Sequence, residues 1–161
     1  MKIVFFALPL CLSFIQTVDA DPPQGPSVQV LVHQANMGDA YGRDSQWVGS
    51  TGKKAALEGV QLSFLENTCP ANGMEYMVHM QNFGDSSWVS SGKFVGTRGQ
   101  SRRLEGIAIR LRGDCAKRFN IWYQCHIEDF GNLPWARDGE FCGTRDQSRR
   151  LESLYLVLVP K

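Results

Sequence analysis

Several features that would indicate common classes of protein are missing from this sequence. After residue 20 there is no long apolar run, so no later segment could span the roughly 30 Å hydrocarbon core of a membrane. Basic and acidic residues are nearly balanced, at 17 and 16, which gives no general attraction to nucleic acid or to an acidic membrane. No segment shows sustained helical spacing with capping residues. We therefore expect no nucleic-acid partner, no membrane insertion and little helix.

Motifs that would indicate catalysis or metal binding are also missing. There is no Gly-x-Ser-x-Gly sequence, and the one cysteine that lies beside a histidine, Cys125, is needed below for a disulfide. Neither a Cys-x-x-Cys nor a His-x-x-x-His spacing indicates a zinc site. The sequence therefore predicts no enzymatic activity, no metal and no cofactor.

The first twenty residues have the features of a secretory signal. Lys2 supplies a positive charge, residues 3–15 are apolar, and Val18-Asp19-Ala20 offers small residues for cleavage. About thirteen apolar residues are too few for a transmembrane helix. We expect residues 1–20 to be a signal peptide, residues 21–27 a flexible leader rich in proline, and the protein to be secreted and extracellular.

What the sequence does contain is an internal repeat. The stretch 96–105, Gly-Thr-Arg-Gly-Gln-Ser-Arg-Arg-Leu-Glu, returns almost unchanged at 143–152, and a fainter copy lies at 49–58, each at an offset of 47 residues. A fixed period of this size indicates a repeat architecture. We predict one domain over residues 28–161, built from three repeats at 28–66, 74–113 and 120–159.

Each repeat begins and ends with a segment typical of a β-strand. The closing strands alternate apolar residues with period two, as at Ile107, Ile109 and Leu111, and the third is apolar on its other face as well, which is either covered or exposed. The segment 88–95 resembles a hairpin with a Ser-Gly turn. The prediction is an all-β, pseudo-threefold domain, β-prism-like, with a β-trefoil as the alternative.

Four cysteines remain after the signal, and an even number in a secreted chain predicts disulfides. Cys125 and Cys142 align with the apolar residues Val78 and Val95 of the second repeat, whereas Cys69 and Cys115 lie in the loops that leave two repeats. We predict the pairs Cys125–Cys142 and Cys69–Cys115. The alternative is one bridge and two buried thiols.

Histidine and glutamate recur in every repeat, as His33, His79 and His126 and as Glu58, Glu105 and Glu152. These residues could form three acid–base pairs. A structural role explains the triplication more simply, since a carboxylate at this position can accept backbone N–H bonds from the glycine-rich turn or pair with a histidine. We therefore interpret all six residues as structural.

Two tryptophans, Trp88 and Trp135, are the leading candidates for ligand binding, with Tyr41 at the same place in the first repeat. A sugar presents an apolar C–H face flanked by hydroxyls, so a lectin site combines a flat aromatic with fixed polar groups. The polar candidates are Gln81, Asn82, Asp85 and Arg103 in the second repeat and Glu128, Asp129, Asn132 and Arg150 in the third. The alternative is that both indoles are core residues.

Two further features leave alternatives open. Trp122 replaces a glutamate of the second repeat and is either an exposed platform or a local packing residue. The basic run at Arg98, Arg102 and Arg103, repeated at 145–150, either forms anion sites for sialylated or sulfated glycans or is a solvated turn held by ion pairs.

The second repeat also resembles a known family. The residues His79-x-Gln81-Asn82-x-Gly84, Trp88-Val89-x-x-Gly92 and the 96–111 segment are similar to the clostridial hydrophobic repeat with a conserved tryptophan, the ChW repeat. The third repeat matches almost as well, and the first has lost the tryptophan and the Gln-Ser-Arg-Arg segment. The resemblance implies a secreted or cell-surface protein with an adhesive or carbohydrate-associated role.

These observations lead to one main functional expectation and one alternative. The main one is a secreted lectin or adhesin-like module that binds a glycan or a cell-surface polysaccharide, because repeated weak sites give avidity on a polyvalent surface. The first repeat, having lost its Gln-Ser-Arg-Arg segment, is expected to bind poorly. The alternative is a secreted protein-binding factor, an inhibitor or effector, that uses the repeats as a scaffold. The oligomeric state does not follow from the sequence.

Overall fold

A computed structural model describes residues 27–65 and 68–161 of the chain. The predicted signal peptide and residues 21–26 of the predicted leader lie outside this part. The first strand begins at Ser27, one residue inside the predicted leader. The strands are β1 (Ser27–Gln34), β2 (Gly38–Arg43), β3 (Trp47–Gly49), β4 (Leu57–Leu65), β5 (Met74–Met80), β6 (Gly84–Asp85), β7 (Val89–Ser90), β8 (Val95–Gly96), β9 (Leu104–Leu111), β10 (Phe119–Ile127), β11 (Gly131–Asn132), β12 (Ala136–Arg137), β13 (Phe141–Gly143) and β14 (Leu151–Pro160).

The fold is all-β, as predicted, with two short helical segments. A 3-10 turn spans Ala71–Gly73, and one α-helix of six residues, α1, spans Gly113–Arg118 between the second and third repeats. In the described ranges no helix has the length and apolar character needed to cross a membrane.

Three antiparallel sheets form the described part of the protein. Each is centred on the first and last long strands of one repeat: β1 with β4 in sheet 1, β5 with β9 in sheet 2, and β10 with β14 in sheet 3. The side-chain alternation of these strands puts one face of each pair in a shared apolar core.

Each sheet is completed by a short strand from another repeat. Strand β8 of the second repeat pairs with β4 of sheet 1, β13 of the third repeat pairs with β9 of sheet 2, and β3 of the first repeat pairs with β14 of sheet 3. The exchange is cyclic, so all three repeats are joined in a ring. We call the three contacts the first, second and third junction, in that order.

The cyclic exchange corrects the hairpin prediction for residues 88–95. Strand β7 pairs with β5 of its own repeat, whereas β8 pairs with β4 of the preceding repeat, so the two strands belong to different sheets. The turn at Ser91-Gly92 therefore carries the chain from one sheet to the next. Gly92 has a φ of 85°, a left-handed conformation that glycine adopts without penalty.

Both predicted cysteine pairs are at disulfide distance. The Cα atoms of Cys69 and Cys115 are 5.9 Å apart, and this bridge ties the loop before the 3-10 turn to α1. The Cα atoms of Cys125 and Cys142 are 6.0 Å apart, and this bridge links β10 of sheet 3 to β13 on sheet 2. The alternative with two free thiols is excluded in this structure.

Candidate functional site

The three junctions share one plan, which begins at an aromatic residue that lies on the exchanged strand or directly precedes it. This residue is Phe94 at the first junction, Phe141 at the second and Trp47 at the third. At the first two, the ring covers a glycine of the neighbouring strand. A Cβ added at Gly59 would lie 2.1 Å from the Phe94 Cζ, and one added at Gly106 would lie 2.3 Å from the Phe141 Cζ. A side chain at either glycine would therefore displace the ring.

An arginine covers the outer side of the ring at the first two junctions. The Arg98 guanidinium lies 3.6 Å from the centre of the Phe94 ring, and Arg145 lies 3.6 Å from that of Phe141. Each arginine also binds a carboxylate of the receiving sheet: Arg98 Nε is 3.3 Å from Asp39 Oδ1, and Arg145 Nε is 3.0 Å from Asp85 Oδ1. Stacking and ion pairing together hold the arginine side chain in one place.

The same carboxylates also bind the recurring histidines. His33 Nδ1 lies 2.6 Å from Asp39 Oδ1, and His79 Nδ1 lies 2.6 Å from Asp85 Oδ1. The His33 hydrogen bond and the Arg98 guanidinium lower the pKa of Asp39, and Arg145 followed by His79 lowers the pKa of Asp85. Both carboxyls are therefore held in their charged form.

Three buried glutamates line the inner part of the junctions. Glu58 Oε2 accepts a 2.9 Å hydrogen bond from the Gly99 N–H, and Glu152 Oε2 accepts one of 3.1 Å from the Gly52 N–H. The second junction has Asp146 in place of that glycine, and there Glu105 Oε2 has no hydrogen-bond partner among the described residues. Glu105 Oε1 accepts a bond from Arg103 instead. Glu58 and Glu152 therefore hold a turn of one repeat on the sheet of another, whereas Glu105 binds within its own repeat.

The third junction departs from the plan at four positions. Trp47 replaces the phenylalanine, Ser153 replaces the glycine beneath it, Thr51 replaces the arginine, and Asn132 replaces the aspartate. His126 Nδ1 still lies 2.6 Å from the Asn132 Oδ1. Because no arginine fills the space, a cleft of about 340 Å³ opens here, lined by Trp47, Gly49, Thr51, His126, Asn132 and Ser153. We call it the junction cleft.

Next to the cleft, the outer face of sheet 3 carries a continuous row of aromatic rings. The Trp47 ring packs on Tyr155 with centroids 5.6 Å apart, Tyr155 packs on Trp135 at 5.6 Å, and Trp135 packs on Trp122 at 6.4 Å. Trp47 is 40% exposed and Trp135 is 45% exposed. We call these four residues the aromatic surface.

The other two sheets have no such row at the equivalent positions. On sheet 2, Arg110 lies 3.9 Å from the centre of the Trp88 ring, and its guanidinium binds Glu75 with an Nη2–Oε2 distance of 2.7 Å. Glu75 occupies the position that Trp122 has on sheet 3. On sheet 1, Tyr41 is 64% exposed and lies opposite Leu31, which is flanked on the next strand by Gln61. The outer face of sheet 1 thus carries a single exposed tyrosine, that of sheet 2 a tryptophan covered by an ion pair, and that of sheet 3 a row of aromatic rings.

The predicted residues around Trp88 lie at two places. Trp88 precedes Val89, which pairs with Tyr76 in the first half of β5, whereas Gln81 and Asn82 follow the far end of that strand. Gln81 is five residues beyond Tyr76, so at ~3.3 Å per residue the two are roughly 16 Å apart along the strand. Asp85 binds His79 and Arg145, and Arg103 binds Glu105. Trp88 itself is half-buried under Arg110.

The predicted residues around Trp135 separate in the same way. Trp135 lies in the aromatic surface, whereas Asp129 follows the end of β10 at Ile127, where it is ion-paired with Arg149. Arg150 binds both Glu128 and Glu152. Asn132 lies in the junction cleft. Of the predicted aromatics, Trp135 is the one that packs against two other aromatic rings, Trp122 and Tyr155.

Several residues of the aromatic surface and the cleft were not predicted as ligand-binding: Trp47, Tyr155, Gly49, Thr51, Ser153 and His126, the last of which was predicted as structural. Tyr155 is on the second apolar face of the last strand, which is the signal that could have found it. Trp122 was left open as a platform, and it packs edge-on against Trp135. Trp47 and Ser153 have no local signal, since they meet only through strand pairing between the first and third repeats.

Within residues 27–65 and 68–161, no group of three or more His, Cys, Asp or Glu side chains is arranged to hold a metal ion. The Nδ1 atoms of His33 and His79 bind aspartate carboxylates, and that of His126 binds the Asn132 amide.

Comparison with known proteins gives one positive result. No match was found among curated proteins, and none among solved structures. The segments 79–113 and 126–160 each match the model of the family described as Clostridial hydrophobic W, ChW. Each matched segment runs from the histidine of a first strand to the end of the closing strand. The second and third repeats of this chain are thus similar to the ChW family.

Proposed function

We propose that the protein is a carbohydrate-binding module, lectin or adhesin-like, that holds an extended glycan on the aromatic surface. The observation that carries the proposal is the row of four rings, Trp47, Tyr155, Trp135 and Trp122. Adjacent rings, with centroids 5.6 to 6.4 Å apart and planes tilted by 54° to 81°, form a long apolar strip of alternating ring faces and edges against which the C–H faces of sugar residues can pack. The earlier proposal that Trp88 also binds sugar stands beside it as a weaker second site, since Arg110 covers its ring.

The proposed role is one of binding without catalysis. The recurring carboxylates that would be candidates for acid–base chemistry, Glu58 and Glu152, are buried and accept backbone hydrogen bonds from glycines of another repeat. Secretion to the extracellular space belongs to the same proposal, and the two cysteine pairs at disulfide distance are consistent with an oxidising environment.

Two statements about architecture are part of the proposal. The first repeat is a diverged third copy of the repeat that matches the ChW family, which is supported by its equivalent strands and its equivalent junction residues. The three sheets form a β-prism-like arrangement in preference to a β-trefoil. This is supported by one separate sheet per repeat and by the cyclic strand exchange.

A specific feature favours the second candidate, a secreted protein-binding factor such as an inhibitor or effector. A shallow depression on sheet 3 is lined by Trp122, Trp135, Val157 and Val159, all of which are apolar or aromatic. Exposed apolar patches of this kind often mark contacts between proteins. A protein partner would use the same surface, so binding experiments must separate the two candidates.

Binding to insoluble polysaccharides, such as cellulose, chitin and bacterial cell-wall preparations, tests the proposal. We expect the protein to be retained on at least one of them and Trp135→Ala to lower the affinity roughly five- to thirtyfold, since a stacked ring contributes on the order of 1–2 kcal/mol.

Trp88→Ala is the matched control, because Trp88 occupies the position of Trp135 on sheet 2 under Arg110. We expect it to bind nearly as well as the wild type. Folded wild-type protein that binds none of the polysaccharides, yet captures a protein partner after enzymatic deglycosylation, would favour the protein-binding alternative.

A further inference from the structure

In the described part of the chain, the junction cleft is a place where the third junction leaves unfilled the space that an arginine takes at the other two. At the first and second junctions an arginine occupies the equivalent volume, stacked 3.6 Å from a phenylalanine ring and paired with an aspartate. At the third junction Thr51 and Asn132 stand in their places. Both members of the ion pair are thus absent together, which leaves neither an unpaired carboxylate nor an unpaired guanidinium.

The floor of the cleft contains a polar group without a partner. Ser153 is 1% exposed, it lines the cleft, and its Oγ makes no hydrogen bond among the described residues. The Oγ has almost no accessible surface, so rotation of the Ser153 side chain toward the cleft is what would let a ligand hydroxyl recover the free-energy cost of this unpartnered group. The equivalent positions, Gly59 and Gly106, carry no side chain and lie under a phenylalanine ring. A polar floor is therefore particular to this junction.

The walls supply complementary groups. Trp47 gives an aromatic ring that is 40% exposed. The Asn132 carboxamide accepts from His126 through Oδ1, and its NH₂ group is the donor that it offers to a ligand. Thr51 adds an exposed hydroxyl. One aromatic face opposite amide and hydroxyl groups fits a ligand with one apolar face and several hydroxyls.

Charge narrows the class of ligand. A cationic ligand would need the carboxylate that Asp39 and Asp85 supply at the other junctions, and Asn132 removes it. An anionic ligand would need a cation such as Arg98 or Arg145, and Thr51 stands in that place. His126, the titratable residue of the lining, is already bound to Asn132 and lies 3.9 Å from the Glu152 carboxylate. A purely apolar ligand would leave the Ser153 Oγ unsatisfied. The class of ligand that meets all three conditions is a neutral molecule rich in hydroxyl groups.

We propose that the junction cleft binds a single neutral pyranose residue, stacked on Trp47 in the place that an arginine takes at the other two junctions. This inference rests on the proposed carbohydrate-binding function and adds a second subsite to it. Trp47 is shared with the aromatic surface, so the cleft is positioned to hold one sugar of a chain that continues along the row of rings. In this proposal the cleft is opened by two replacements, Thr51 of the first repeat for the arginine and Asn132 of the third repeat for the aspartate.

The experiment titrates the mature protein with neutral methyl pyranosides of glucose, galactose, mannose and N-acetylglucosamine. The readout is the ¹H–¹⁵N spectrum of the indole groups, since the chain has four tryptophans and each gives one signal. Trp47→Phe identifies the Trp47 signal. We expect at least one pyranoside to shift it with a dissociation constant on the order of 1 mM, which is typical of a small polar ligand.

The decisive variant is the double substitution Thr51→Arg with Asn132→Asp. It rebuilds the arginine–aspartate pair of the other junctions, so it fills the cleft with groups that this fold already accommodates. We expect it to lose the pyranoside shift and to keep binding polysaccharide through Trp122 and Trp135. If this variant does not fold, Ser153→Ala replaces it, with binding expected to weaken roughly three- to tenfold.

The inference is overturned if no pyranoside shifts the Trp47 signal in the wild type, or if the variant that fills the cleft binds the pyranosides as well as the wild type does. Retention on polysaccharide that depends on Trp135 would then leave the proposed function intact. If retention on polysaccharide is also absent, the proposed function fails with it.

Discussion

Two buried tyrosines show how single residues hold the repeats together. Tyr76 is fully buried, and its hydroxyl accepts a 3.1 Å hydrogen bond from the Leu62 N–H of sheet 1 and donates to the Lys93 carbonyl. Tyr123 does the same with the Ile109 N–H of sheet 2 and the Glu140 carbonyl. The third junction has Val30 at this position. Each hydroxyl therefore ties the tyrosine's own sheet to a strand of the neighbouring sheet and to the segment that carries the chain into that neighbouring sheet.

Tyr76→Phe should destabilise the protein because it leaves the buried Leu62 N–H without a partner. The expected cost is about 1–3 kcal/mol in the free energy of unfolding, measured by urea denaturation. Val30→Ile, a small apolar enlargement at the equivalent position, is the comparison that removes no hydrogen bond. A Tyr76→Phe variant as stable as the wild type would show that the hydroxyl bonds contribute nothing.

The same tyrosines predict instability at alkaline pH. Burial raises the pKa of Tyr76 and of Tyr123 to about 12, from 10.0. Since the folded state favours the neutral phenol, its contribution is complete below pH 10 and is lost as the pH rises from about 10 to about 12. We expect the urea midpoint to fall over this window and to fall less in the double Tyr→Phe variant. An equal fall in both would contradict the assignment.

At the scale of elements, the short exchanged strands carry one buried residue each into the core. These residues are Val48 on β3, Val95 on β8 and Cys142 on β13. In the third repeat Cys142 is bonded to Cys125 of the first long strand, and the positions equivalent to Cys125 in the other repeats are Val32 and Val78. The third repeat thus uses a covalent link where the other two use apolar packing.

Replacing Cys125 and Cys142 together with valine should preserve the fold, because valine already occupies both positions in the other repeats. The bridge closes a segment with a sequence separation of 17 residues, so its loss is expected to cost about 3 kcal/mol in the chain-entropy account. Chemical denaturation measures the loss. Replacing Cys69 and Cys115 with serine, at a separation of 46 residues, should cost about 4 kcal/mol. A double valine variant that does not fold would contradict the equivalence of the repeats.

At the scale of the whole molecule, the cyclic exchange makes the three repeats interdependent. Sheet 1 needs β8, sheet 2 needs β13 and sheet 3 needs β3, each from another repeat. The ring also brings the most divergent repeat against the last one, and the junction cleft lies at this contact. The cyclic exchange of strands therefore produces both the architecture of the protein and the cleft in which we propose the sugar site.

A chain that ends after the second repeat, residues 27–112, should not fold. It would lose β13 from sheet 2 and all the strands that receive β3, which exposes the edges of β9 and β3 and much of the shared core. We expect poor dispersion of amide signals by NMR and no cooperative thermal transition, with residues 27–161 as the control. A folded two-repeat fragment would show that the closure is dispensable.

The all-β fold, the positions of the long strands and the cysteine pairs follow from the sequence alone. Period-two alternation is a local property of a strand, and the constant offset places equivalent residues of different repeats in register. Cys125 and Cys142 stand where the second repeat has two core valines, Val78 and Val95, and this identifies the two cysteines as a disulfide pair.

The tertiary structure decided which strand completes each sheet, and with it the site. Strands β3, β8 and β13 are two or three residues long, which is too short for their sequence to specify a partner in a distant repeat. Only their pairing brings Arg98 onto Asp39 and Trp47 onto Tyr155. The sequence alone therefore determined the repeat and its residues, whereas the aromatic surface and the junction cleft depend on long-range pairing that no single segment encodes.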